Sequence, residues 1–88
     1  MATARRNDRR RIRYKFKRNA GVWGLAFPQE WRIELDPSLD DKTLLDIAVH
    51  EAQHILHPDI CEEIVNRDGI VLADLLWRLG YRRTHEED

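Results

Sequence analysis

The spacing of apolar residues changes partway along this 88-residue chain, from a period of two before Pro37 to a helical period after it. Ile12, Tyr14 and Phe16 alternate with Arg11, Arg13, Lys15 and Lys17, as expected of a strand with one buried and one strongly basic face. Asn19-Ala20-Gly21 reads as a turn. Val22 to Phe27 alternates again, with Trp23, Leu25 and Phe27 on one face and Val22, Gly24 and Ala26 on the other. Gly21 and Gly24 flank Trp23, and glycine inside a strand marks a bulge or the close approach of another backbone, such as a substrate laid along the strand. Pro28-Gln29-Glu30 breaks the run. Trp31, Ile33 and Leu35 then alternate with Arg32, Glu34 and Asp36, giving a third strand that ends at Asp36-Pro37. The short connections predict neighbouring antiparallel strands and one apolar sheet face.

Ser38 and Asp40-Asp41 are helix-start signals. Leu44, Leu45, Ile47, Ala48, Ala52, Ile55 and Leu56 form an apolar face through to His57, and Pro58 ends the segment. A second helix is predicted from about Ile60 to Leu79, with Ile60, Ile64, Val71, Leu72, Leu75, Leu76 and Leu79 as its apolar stripe and Gly80 as its stop. Asp68 and Gly69 interrupt that stripe. Asp68 is expected near a helix end, at a bend, or turned towards a metal-bound histidine as its hydrogen-bond partner. Trp77 and Tyr81 read as core aromatics. The fold class is therefore α+β: a small three-stranded antiparallel sheet followed by two packed helices. Residues 1–10 lack any apolar period and read as a flexible basic arm, 11–82 as a single domain, and 83–88 as a polar tail.

Composition adds a charge asymmetry to this picture. The net charge is -1, yet the first 18 residues carry nine Lys and Arg against Asp8 alone, while the rest carry six against 15 acids. The basic residues Arg9, Arg10, Arg11, Arg13, Lys15 and Lys17 are candidate nucleic-acid contacts. No apolar run is long enough for a bilayer, the first residues lead into charge rather than a signal-peptide core, and Cys61 is the only cysteine. A soluble, cytoplasmic protein without a membrane partner is expected, as a monomer or a small homo-oligomer.

The residues that specify a chemistry are His50-Glu51-Ala52-Gln53-His54. On a helix, His50 and His54 project side by side and can share one metal ion, while Glu51 is placed to act as a base towards a metal-bound water. This is the ligand chemistry of a catalytic Zn2+, which takes three protein ligands and one water. The third ligand is sought in Glu62 and Glu63 beyond the Pro58 turn, with Glu63 favoured of the two. His57, Asp59 and His85 are the rivals. Ile60 occupies the place of a third histidine in the H-E-x-x-H-x-x-G-x-x-H class, which disfavours that class.

The order Gly21-Val22-Trp23-Gly24, Trp31 to Leu39 and Leu44 to His54 resembles the catalytic core of SprT-like zinc metallopeptidases. His57 to Glu63 and Leu75 to Arg82 are similar to short uncharacterised phage and bacterial proteins with a metallopeptidase core. The resemblance implies a minimal zincin-like fold and a zinc-dependent peptidase acting on a protein or peptide, in a bacterial or phage-infected cell. SprT-like enzymes take their third ligand from a downstream histidine, whereas the convenient candidates here are glutamates. The alternative expectation is a non-catalytic, zinc-stabilised protein that uses the basic arm for nucleic acid or for a regulatory or host interaction.

Overall fold

The computed structural model describes residues 11–84. The expected arm, including Arg9 and Arg10, lies outside the described residues, as do His85 and the three residues after it. The elements are β1 (Arg13–Phe16), β2 (Gly24–Phe27), a 3-10 turn (Pro28–Glu30), β3 (Arg32–Leu35), α1 (Asp41–Leu56) and α2 (Glu62–Arg78).

The sheet is mixed, not antiparallel as expected: its order is β1-β3-β2, with β1 parallel and β2 antiparallel to β3. The chain does reverse at the expected turn, where Gly21 adopts φ +82° and the Val22 amide donates to the Asn19 carbonyl at 3.2 Å. But residues 17–23 form too wide a loop for a tight hairpin, which leaves a gap of two strand spacings, about 10 Å. β3 fills that gap. Its end is clasped on both sides, the Lys17 amide donating to the Leu35 carbonyl and the Asp36 amide to the Trp23 carbonyl, both at 2.9 Å.

Register then decides which side chains meet the helices. Tyr14, Ile33 and Ala26 share one row and Phe16, Leu35 and Gly24 the next, on the face that packs against α1. Leu25 and Phe27 fall on the opposite face, so β2 turns its small residues inward and its large ones outward. The cause is the closeness of α1. A Cβ on Gly24 would sit 2.6 Å from Ile47 Cγ2 and 3.1 Å from Glu51 Cγ, so the partner that needs this glycine is α1 itself rather than a bulge or a substrate backbone. On the outer face the Arg32 guanidinium lies 4.1 Å over the Phe27 ring, and buried Glu34 accepts from Asn19 Nδ2 at 3.1 Å and from Arg32.

Asp40 caps α1, accepting from the Thr43 amide at 2.8 Å, while Ser38 closes a turn onto Asp36. Leu44 and Ile55 of α1 complete the core with Ile33 and Leu35. α2 packs on α1 through Val65, Gly69 and Ala73, running unbroken through Asp68 and Gly69. A Cβ on Gly69 would stand 2.9 Å from Gln53 Nε2, so small residues here let the two helices approach closely. The expected stripe is only partly covered: Ile60, Ile64 and Leu76 are half-buried, while Val71, Leu72, Leu75 and Leu79 face water, Leu79 at 63% exposure. Gly80 ends the helix as expected. It adopts φ +98°, and the Gly80 and Tyr81 amides return to the Trp77 and Leu76 carbonyls at 3.0 and 3.1 Å. Tyr81 is exposed rather than in the core, and Trp77 is half-buried beneath the Arg82 guanidinium.

Candidate metal centre

α1 carries His50 and His54 one turn apart, with ring centroids 5.0 Å from each other. The helix ends at His57, whose amide still bonds the Gln53 carbonyl, because the proline at 58 cannot continue the ladder. Residues 57–61 turn the chain back, and α2 begins at Glu62. Glu62 lies three residues before Val65, which is followed at four-residue steps by Gly69 and Ala73. It therefore extends the α1-facing stripe of α2 by one turn.

The Glu62 carboxylate consequently meets both histidines, Oε2 lying 2.9 Å from His50 Nε2 and Oε1 3.1 Å from His54 Nε2. One ligand atom from each of the three residues falls within 4.8 Å of the others. Two imidazole nitrogens and one carboxylate oxygen are a donor set suited to zinc, and three ligands leave a fourth position open. The histidines are about three-quarters buried, whereas the Glu62 side chain is 60% exposed, so one side of the cluster faces water. Gln53, between the histidines in sequence, donates to the Val49 and Val65 carbonyls at 3.4 Å each and so ties the helices together at this level.

Glu51 projects from α1 towards β2, into the space that Gly24 leaves by having no side chain. Burial raises its pKa above the ordinary carboxylate range; His50 and His54 oppose that shift and Glu62 adds to it. The carboxylate thus binds a proton more strongly than a free glutamate, which suits a group that must take one up and give it back. An open cleft of about 340 Å3 begins here, lined by His50 and Glu51, by Val22, Trp23 and Gly24 from the sheet side, and by Asn66 and Ile70 from α2.

The remaining candidates stand apart. Glu63, the favoured third ligand, is exposed on α2 and does not join the cluster; neither do His57 or Asp59, both exposed in the turn. Asp68 pairs with Arg67 at 3.0 Å instead of supporting a histidine. Arg11, Arg13, Lys15 and Lys17 are all exposed along β1 and its flanks, Arg13 also donating to the Glu30 carbonyl at 2.8 Å. Sequence reasoning missed Gln53 and Gly69 as the residues that set the helix spacing. It also missed Asp46, which lines the cleft and whose four-residue separation from His50 was the available signal.

No protein-family model, curated protein or solved structure matches this chain. Among the described residues, no helix is long and apolar enough to cross a membrane.

Proposed function

We propose that this chain is a small zinc-dependent peptidase of the H-E-x-x-H type, in the class that the SprT-like resemblance implies, acting on a protein or peptide in the cytoplasm. The observation that carries this reading is the convergence of His50, His54 and Glu62 beside a half-buried Glu51 at the mouth of an open cleft. His50, His54 and Glu62 would hold the ion. When bound, zinc lowers the pKa of a water in its open position to about 7 and stabilises negative charge on a carbonyl oxygen. Glu51 would accept the proton of the attacking water and return it to the leaving nitrogen, its carboxylate standing in the cleft beside His50. His50 and His54 would offer their Nε2 atoms, which α1 presents one helical turn apart.

Replacing Glu51 with Ala is expected to leave zinc stoichiometry at wild type while turnover of denatured casein falls by about 100-fold or more. Elemental analysis and a cleavage assay on the same preparation check both halves. Wild-type cleavage by the variant would remove Glu51 as the base, and absence of bound zinc from the wild-type protein would remove the reading itself.

A second reading has one observation in its favour, the exposed basic row Arg11, Arg13, Lys15 and Lys17. Such a row would hold nucleic acid with an affinity that falls steeply with salt. Duplex DNA binding measured at two salt concentrations, with and without residues 1–10, tests it.

A further inference from the structure

The 340 Å3 cleft beside the histidines is close to the smallest size of a small-molecule site, about 300 Å3, and its walls are mixed in chemistry. Val22, Trp23, Ile47 and Ile70 are apolar, and Trp23 stands exposed at the rim. Asp46 interrupts them. It sits one helical turn before His50 on α1, is half-buried, and also lines the adjoining concavity that continues towards Asp74 and Trp77.

Among the described residues no ion pair or hydrogen bond engages the Asp46 carboxylate. Its natural helical partner is Lys42, four residues earlier, but the Lys42 ammonium is turned to the Trp77 ring, 5.9 Å from its centroid. The Asp46 carboxylate is therefore free to take a counter-charge from a bound group. The walls suit the methylene stem of a long side chain and the exposed indole suits a cationic head, so the group that completes the cleft is a lysine or arginine side chain. A divalent ion at the cluster does not reverse this. Its two charges are matched by Glu51 and Glu62, and although Asp74 is paired with Arg78 and Lys42 lines the adjoining concavity, Asp46 still leaves the cleft itself with one negative charge, which disfavours an acidic side chain there.

We infer that this cleft selects a cationic side chain through Asp46, so that the peptides cleaved at the site carry Arg or Lys beside the scissile bond. The selection rests on the cleft, and its link to cleavage rests on the peptidase reading. The two are tested separately. Acetyl-arginine amide, acetyl-norleucine amide and acetyl-glutamate amide are titrated into the zinc-loaded protein and followed by amide NMR shifts. The arginine probe should bind about tenfold more tightly than norleucine, shifting Val22 to Gly24 and Asn66 to Ile70, and the glutamate probe should not bind. Asp46→Asn should reduce arginine to the level of norleucine, and Asp46→Lys should favour glutamate. Equal binding of arginine and norleucine, or selectivity unchanged in Asp46→Asn, overturns the inference. In parallel, denatured casein is digested and the product ends are read by mass spectrometry. Cuts beside Arg and Lys, lost in Asp46→Asn, support it, and cuts without basic preference overturn it. If casein is not cut while arginine selectivity persists, the peptidase reading falls and the cleft's selectivity stands.

Discussion

Glu62 and Glu63 are one position apart and therefore about 100° apart around α2, and that rotation decides which carboxylate reaches the histidines. If each ligand supplies a share of the roughly 10–16 kcal/mol typical of a structural zinc site, losing one should cost about 3 kcal/mol, near a hundredfold in Kd. Glu62→Ala is therefore expected to weaken zinc binding by about that factor, while Glu63→Ala binds as wild type; a competition titration with a chromogenic chelator measures both. A larger loss in Glu63→Ala would move the ligand. His50, Glu51 and His54 were legible in the sequence because four-residue spacing alone brings two side chains together on a helix. The carboxylate that meets them was not, since choosing between adjacent acids needs the facing side of α2. That side is marked by Val65, Gly69 and Ala73. The large apolar residues used to read the helix lie mostly on another face.

β2 shows how an element can be recognised and still be turned the wrong way. Its alternation was plain, but Leu25 and Phe27 outweigh Gly24 and Ala26 in hydrophobicity, so the sequence argues for the wrong inward face. The tight approach of α1 overrides that preference. Strand order was equally hidden, because nothing local to residues 17–23 states that β3 will later occupy the gap they leave. The cost of the tight approach is measurable at Gly24. An Ala there would place its Cβ against Ile47, whose β-branched side chain cannot swing away, and against Glu51. Gly24→Ala is expected to lower stability by about 1–3 kcal/mol and to reduce turnover by displacing Glu51. Gly21→Ala makes the contrast. Its Cβ would meet nothing within 4 Å and its φ is +82°, so about 1 kcal/mol of backbone strain should appear in the thermal melt without a change in turnover per folded molecule. Equal turnover losses in the two variants would sink the claim that Gly24 exists to seat Glu51.

Among the described residues few large apolar side chains are buried, Ile33, Leu35, Leu44, Ile55 and Val65 among them, and α2 with its C-cap keeps Leu72, Leu75 and Leu79 in water. Polar groups therefore weigh heavily in its stability. Buried Glu34, held by Asn19 first and also by Arg32, has a pKa below the ordinary value. A lowered folded pKa stabilises the fold above the unfolded value of about 4.3 and loses that contribution as pH falls through the folded value. Melting temperature should accordingly drop in acid, and Glu34→Gln should show a shallower drop; parallel acid limbs in the two proteins would remove this assignment. The proposed metal would act at the same scale. Two of its candidate ligands come from α1 and one from α2, whose contact otherwise rests on small residues. Free zinc at 100 times its Kd should add about 2.7 kcal/mol, a rise on the order of 10–20 °C in Tm for a domain of this size. Chelator should reverse it, and Glu62→Ala should blunt it. Mass action alone predicts the shift for any site, so the discriminating measurement is hydrogen exchange. If the ion joins the helices, zinc slows exchange along α2 in the wild type and not in Glu62→Ala. Protection confined to α1 would mean that α2 holds no ligand.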